Sequence, residues 1–319
     1  MKILSQFTPT YLKNSRLHSR ARLGRIRYTI KIGSIIILVG ICLSTPAMAD
    51  SKYPALRDSV DPELQKAFDK ALTDYFGAEF WELAKAKKVG IAIADVTDPR
   101  RPRVAAVNGD LMLYAASLPK IAILLGAFVQ IERGNLVLDD NLRQEMTRMI
   151  RRSSNKTATS VLNRVGIAEL AEILKSDRYR LYDPKYGGSL WVGRDYGGGK
   201  VWKRDPINNI SHGASAMQVA RWYYLAVTER LVAPQYQNDL GDIMGNPAIK
   251  HKFVKGLKDK KDTKIYRKSG TWKNFHADGG VVVHRKNEYI IVGIIEHSEG
   301  GEGLAELVVL VDGLMEKMK

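Results

Sequence analysis

The chain reads SLPKIAILLGAFVQI at residues 117–131, and this stretch is apolar on nearly every side of the helix it would form. A helix without a polar stripe is surrounded by other parts of the protein, so it belongs in the centre of a domain. Gly134 follows as a suitable C-terminal stop. The stretch therefore predicts a central helix over residues 118–133, with Lys120 in its first turn.

Ser117 and Lys120 are placed to work together at the start of this helix. Serine is a favoured N-cap, proline is tolerated in a first turn, and residues three apart share a helical face. A lysine can take the proton of a hydroxyl only if burial or nearby positive charge lowers its pKa, and the apolar helix would supply the burial. Taken alone the pattern is weak, since a serine cap followed by a solvated lysine is the commoner explanation in an arbitrary chain.

Two distant segments carry further polar groups of the same kind. Ser153-Ser-Asn155 lies between two predicted helices, so that a hydroxyl and an amide would project from the connecting turn. Lys268-Ser-Gly-Thr271 ends a predicted strand, where Gly270 would let the backbone approach a ligand closely. Each segment alone is more often an ordinary turn or strand end. The three segments in this order are hard to attribute to chance.

Together the segments resemble the S-x-x-K, S-x-N and K-[TS]-G motifs of serine β-lactamases and penicillin-binding proteins. The resemblance covers most of the chain after residue 50 and is greatest to the class A β-lactamase catalytic domain. It implies a serine hydrolase, β-lactamase-like, that cleaves a β-lactam amide. Ser117 would be acylated, Lys120 would take its proton, and Ser153 would relay a proton to the leaving nitrogen.

The same resemblance implies how the substrate is held. Asn155 would bind the side-chain amide of the substrate, while Lys268 and Ser269 would bind its carboxylate. The backbone N–H groups of Ser117 and Thr271 would form the oxyanion hole. No metal and no cofactor is expected, because the histidines show no metal-ligand spacing.

The segment from residue 177 to 211 departs from the class A pattern. Class A enzymes carry a glutamate there, in E-x-x-L-N, which activates the deacylating water, whereas this segment contains no glutamate. The connection from Ser117 to Ser153 is also short for the family, which implies a more open site. Two alternatives therefore remain: a D,D-peptidase acting on peptidoglycan stem peptides, and a penicillin-binding sensor or wall-binding module without turnover.

The distribution of the predicted elements indicates the fold class. Helices are predicted at 61–76, 118–133, 138–150, 157–175, 216–231 and 303–318, and strands at 89–95, 104–107, 263–271, 279–284 and 289–296. Segregated helices and strands predict an α+β fold, a three-layer α/β/α arrangement with an antiparallel sheet and a helical lobe. A cleft between lobe and sheet is the natural place for a site. The loop at 177–211 is irregular, and its aromatic residues would either pack it down or stack on a ligand.

The N-terminus has the pattern of a secretory signal. The first 31 residues contain eight lysines and arginines and no acid, and an apolar run at 32–44 precedes Ala47 and Ala49. We expect cleavage after Ala49, a signal peptide at 1–49, a hydrolase domain at 50–319, and a periplasmic or secreted location. The run is shorter than the roughly 20 residues of a spanning helix, so a retained anchor is the minority alternative.

Composition narrows the range of partners. The net charge is +16, and because eight of these charges lie in the signal segment, a nucleic-acid partner is not indicated. Cys42 is the single cysteine, so no disulfide framework is predicted. The expected partner is a small β-lactam or a peptidoglycan peptide, the protein is expected to be a monomer, and membrane contact is expected only through an uncleaved signal segment.

Overall fold

The computed structural model describes residues 52–318. The predicted signal peptide, its cleavage site and Cys42 lie outside the described residues. Within residues 52–318, every helix is too short or too polar to cross a lipid bilayer.

Helices and strands alternate in blocks along the described chain. The helices are α1 (Pro62–Lys85), α2 (Lys120–Glu132), α3 (Asp140–Arg151), α4 (Asn155–Val165), α5 (Ile167–Lys175), α6 (Ala216–Val227), α7 (Gln237–Met244), α8 (Phe253–Gly256) and α9 (Gly300–Lys317). The strands are β1 (Val89–Asp95), β2 (Arg103–Val107), β3 (Leu113–Tyr114), β4 (Tyr182–Asp183), β5 (Gly188–Ser189), β6 (Trp191–Val192), β7 (His212–Ala214), β8 (Thr263–Trp272), β9 (Phe275–His284) and β10 (Asn287–Glu296).

Five antiparallel strands form the main sheet, in the order β2-β1-β10-β9-β8. Side chains alternate between the two faces of a strand, and β1 shows both environments. Ile91 and Ile93 pack with α1 and α9 on one face, whereas Ala92 and Ala94 belong to the core shared with α2 and α6 on the other. The predicted three-layer α+β fold with an antiparallel sheet is confirmed.

Helix α2 is the centre of the helical lobe, as its sequence predicts. Every residue from Lys120 to Ile131 is buried. A Cβ atom on Gly126 would lie 2.8 Å from Val165 Cγ1 and 3.0 Å from Leu170 Cδ1, so glycine lets α4 and α5 pack closely against this helix. The helix begins at Lys120, two residues later than predicted, because Leu118 and Pro119 form a turn.

Two predicted helices are interrupted at glycines with positive φ. The helix predicted over 157–175 is divided into α4 and α5 at Gly166, whose φ is 84°. Helix α1 runs nine residues beyond its predicted end and is kinked at Gly77, whose φ is 67°. A left-handed residue cannot continue a right-handed helix, so the chain changes direction at both positions.

We expect the packing of α1 on the sheet to contribute strongly to stability. Phe68 is fully buried on this helix, whereas Tyr75 is 54% exposed. Phe68→Ala should lower the free energy of unfolding by about 3–5 kcal/mol, because it leaves a cavity under the sheet. Urea unfolding of both variants measures this, and Tyr75→Ala should cost less than about 1 kcal/mol. Equal effects of the two substitutions would contradict the assigned packing.

Candidate active site

Ser117 stands in the turn before α2 and does not cap the helix. The N-cap position is Pro119, and the helix receives no side-chain cap bond. The expectation that Ser117 is the N-cap is therefore wrong, because the turn from residue 116 to 119 delays the first helical residue. The Ser117 hydroxyl has no hydrogen bond to any described residue. It lines a cavity of about 690 Å³ together with Asn155 and Thr271.

Lys120 is buried at the base of the same site. Its exposed fraction is 0%, and burial lowers its pKa to about 7. The amine donates to Ser153 O at 2.6 Å and to Asn155 Oδ1 at 2.8 Å, and it lies 3.5 Å from Ser153 Oγ. The structure shows no hydrogen bond between Lys120 Nζ and Ser117 Oγ. Such contacts can tighten when substrate binds.

The bonds of Lys120 leave the neutral amine with a free lone pair. A neutral amine has two N–H groups and one lone pair, and Ser153 O and Asn155 Oδ1 together take both N–H groups. The lone pair takes part in neither of these bonds, and the further polar contact of the amine, Ser153 Oγ, lies 3.5 Å away, at the limit of hydrogen bonding. A lysine with a pKa near neutrality and an unused lone pair meets the requirement for a general base.

The connection between α3 and α4 places Ser153 between two amines. Ser153 adopts a left-handed conformation, with φ of 54°. Its Oγ accepts a hydrogen bond from Lys268 Nζ at 2.9 Å and lies 3.5 Å from Lys120 Nζ. The hydroxyl of Ser154 caps α4, which starts that helix at Asn155. The turn thus presents Ser153 and Asn155 to Lys120, as predicted for a connecting segment.

The Lys268–Thr271 segment lies directly against the turn that carries Ser117. A Cβ atom on Gly270 would lie 2.1 Å from Ala115 O and 2.7 Å from Ser117 N, so this close approach requires glycine. Thr271 and Ser117 consequently line the same cavity. The N–H group of Ser117 donates to no backbone carbonyl in the described chain, as an oxyanion hole requires.

Beneath this segment, buried cations outnumber buried acids. Lys268 is 1% exposed, and burial together with the nearby charges of Lys120 and Arg267 holds its pKa well below the usual range. Arg267 pairs with the buried Asp278 at 2.8 Å and donates to Ser269 Oγ at 2.9 Å. The Ser269 hydroxyl accepts this bond and can still donate its own proton to a ligand. A substrate carboxylate bound here would favour the charged form of Lys268.

Lys252 is part of the site and is absent from the sequence prediction. It is 3% exposed. Its amine donates three hydrogen bonds, to Thr271 Oγ1 at 2.8 Å, to Ala277 O at 3.1 Å and to Gly270 O. Burial lowers its pKa to about 8. Lys252 fixes the end of β8 beside Ser117. No local pattern distinguishes it among the 50 lysines and arginines, because its burial depends on the packing of distant strands.

The loop at 177–211 closes over Lys120. The ring of Tyr196 lies 4.5 Å from Lys120 Nζ, and its hydroxyl donates to Ala116 O at 3.2 Å. His212 packs on this ring at 4.2 Å, and burial lowers its pKa to about 4. Trp191 is 1% exposed, so it packs the loop down. The aromatic residues therefore shield Lys120 from water.

A second group of titratable side chains lies beside α9. His284, Asp312 and Glu316 approach one another, which their spacing in the sequence does not indicate. The carboxylate of Asp312 forms a hydrogen bond with His284 Nδ1 and an ion pair with Lys260 Nζ, each at 2.9 Å. These contacts balance the buried carboxylate, so the group is part of the packing of α9 on the sheet.

Comparison with known proteins agrees with this fold. The sequence model of the Beta-lactamase enzyme family matches residues 67–148 and 141–308. The solved structure of PBP-A superposes with a TM-score of 0.61 at 17% identity, covering 81% of this chain and 98% of PBP-A. A beta-lactamase from Sphaerobacter thermophilus DSM 20745 gives 0.62 at 14% identity, covering 80% and 98%. An ancestral class A beta-lactamase gives 0.56 at 17% identity, covering 74% and 98%. No curated protein sequence matches the chain.

We expect the acylation rate of Ser117 by a penicillin to follow the protonation of Lys120. The neutral amine is the reactive form, so the rate should fall as the pH drops below about 7. Lys120→Arg should slow acylation by at least roughly 100-fold at every pH, because a guanidinium stays charged. Intact-mass time courses from pH 5 to 9 measure both effects.

The matched control is Lys156→Arg, one residue past Asn155 on the exposed side of α4. This variant should keep the rate and the pH profile of the unmodified protein. If Lys120→Arg kept the acylation rate and the pH profile of the unmodified protein, Lys120 would not be the base.

Proposed function

Because the chain belongs to the Beta-lactamase enzyme family, whose sequence model it matches over most of its length, we propose that it is an exported serine hydrolase that acts on a β-lactam amide through an acyl-enzyme on Ser117. One observation carries the proposal: a fully buried lysine with a pKa of about 7, Lys120, is held by Ser153 and Asn155 at the base of the cavity that Ser117 lines.

Acylation begins with the transfer of the Ser117 proton. The lone pair of Lys120 takes this proton, and Ser117 Oγ attacks the amide carbon, so that a C–O bond forms and the carbonyl oxygen becomes negative. The N–H groups of Ser117 and Thr271 stabilise that oxygen. Donors fixed in place before the reaction need no reorganisation when the charge develops, which is the source of their effect.

Collapse of the tetrahedral intermediate breaks the C–N bond. The leaving nitrogen requires one proton, which passes from Lys120 through the Ser153 hydroxyl. Lys268 Nζ holds that hydroxyl at 2.9 Å. Lys120 is neutral again once the nitrogen is protonated, and the carbonyl carbon remains bonded to Ser117 Oγ. Lys268 and Ser269 would hold the substrate carboxylate, and Asn155 the side-chain amide.

The composition of the loop at 177–211 favours slow deacylation and therefore a second candidate function. The loop contains no glutamate. Asp195 is the single acid among the residues that line the cavity, and its Oδ2 accepts a hydrogen bond from Lys200 N at 3.1 Å. A D,D-peptidase acting on peptidoglycan stem peptides would use the same acylation. A variant of PBP-A has been solved as an acyl-enzyme complex with penicillin G.

Export is proposed from the N-terminal sequence. The basic segment, the apolar run and Ala47 and Ala49 support a signal peptide cleaved after Ala49. A periplasmic or secreted location would bring the enzyme to both classes of substrate. We propose a monomeric catalytic domain.

We expect intact-mass analysis after exposure to penicillin G to show one covalent adduct with the mass of the whole penicillin. The adduct should be absent in Ser117→Ala and present in Ser298→Ala, a control at an exposed serine. Its lifetime separates the candidates, since rapid loss with penicilloate release indicates a β-lactamase and persistence indicates a peptidase or sensor. A protein that forms neither adduct nor penicilloate would refute the proposal.

A further inference from the structure

Two arginines of the loop at 177–211 line the cavity without an acidic partner. Arg194 Nη2 donates to Gly199 O at 3.2 Å, and Arg204 Nη1 donates to Asn209 O at 2.8 Å. Within the described residues, neither guanidinium forms an ion pair. A guanidinium carries five N–H donors, so most donors of both side chains are free to bind a ligand.

The charge around this part of the cavity is not balanced by acids. Among the described residues, Asp195 is the only acid that lines the cavity, and its carboxylate already accepts the Lys200 N–H group. The charge of Arg194 acts on Tyr114 and His212, which line the cavity too. The part of the cavity lined by residues of the 177–211 loop is called the loop end below. Two guanidinium groups without ion pairs, beside one carboxylate that is already hydrogen-bonded, create a positive potential there.

An aromatic wall of three residues lines the same cavity as these arginines. The rings of Tyr114, Trp272 and Phe275 form one cluster, with centroids 5.5 Å apart for Tyr114 and Trp272 and 5.3 Å apart for Tyr114 and Phe275. Trp272 is 49% exposed, which is unusual for so large an apolar side chain. An exposed aromatic wall beside unpaired guanidinium groups suits a ligand that is both apolar and anionic.

The direction of the proposed reaction decides which part of the substrate reaches this region. The leaving nitrogen must face Ser153, which supplies its proton, and neither Ser153 nor Lys268 is among the residues that line the cavity. The acyl part, which stays on Ser117, therefore extends the other way. It would pass Asn155 and Thr271 and reach the part of the cavity lined by the aromatic wall and the arginines.

We propose that the loop end of the cavity selects substrates whose acyl part carries its own carboxylate next to an apolar or aromatic group, with Arg194 and Arg204 as the specificity-determining residues. This inference rests on the proposed acylation of Ser117. The carboxylate in question is separate from the one assigned to Lys268 and Ser269, which belongs to the leaving side of the substrate.

Benzylpenicillin and carbenicillin form a matched pair of probes. They differ only in a carboxylate on the carbon that bears the phenyl ring. We expect the ratio of the second-order acylation rates, carbenicillin over benzylpenicillin, to fall by roughly tenfold or more in the Arg194→Gln/Arg204→Gln variant, because charge-assisted hydrogen bonds are lost. The ratio in the unmodified protein should fall with added salt, and the ratio in the variant should not.

The control variant is Arg100→Gln/Arg101→Gln, which removes the same charge from the connection between β1 and β2. It should leave the ratio unchanged. Continued acylation of the Arg194→Gln/Arg204→Gln variant by benzylpenicillin shows that it is folded. An unchanged ratio in that variant would overturn the inference while leaving the proposed function intact, whereas the absence of acylation by either penicillin in the unmodified protein would overturn both.

Discussion

The burial of the Lys120 amine is the constraint on which the rest of the site depends. Burial in apolar surroundings makes the charged form of an amine costly in free energy. The N–H groups of a buried amine also need hydrogen-bond acceptors. Ser153 O and Asn155 Oδ1 supply them, so the connection between α3 and α4 must lie against the first turn of α2. Ser153 adopts a left-handed conformation at this contact. Satisfying the hydrogen bonds of a buried lysine thus also assembles the groups proposed for proton transfer.

The buried charges extend this argument beyond one residue. Lys120, Lys252, Arg267 and Lys268 are all nearly inaccessible, and the buried Asp278 acts on Lys252 and Lys268 and pairs with Arg267. Burial lowers the pKa of all three lysines, and repulsion by neighbouring cations lowers the pKa values of Lys252 and Lys268 further. A substrate carboxylate would relieve part of this repulsion. The site therefore holds unfavourable electrostatic free energy without a ligand, which an anionic substrate would release on binding.

The sequence predicts well those features that depend on neighbours along the chain. Helix α2 and the β8–β10 meander follow from local apolar periodicity. The three motifs are recognisable because each lies at the end of such an element. The position of Ser117 before the helix, the burial of Lys252 and the packing of Tyr196 on Lys120 depend on contacts between distant segments. Gly166 shows the same limit, because its left-handed conformation is not visible in an otherwise periodic helical pattern.

The surroundings of Ser117 also explain why acylation and deacylation should differ in rate. His212, with a pKa of about 4, is too weak a base to activate water at neutral pH, and Asp195 is engaged by Lys200 N. Of these three groups, Lys120 has a suitable pKa. Its amine is fully buried, however, and Tyr196 packs on it at 4.5 Å, so a water molecule has little access to it. The group proposed to activate Ser117 is thus poorly placed to release the product, so we expect a long-lived acyl-enzyme.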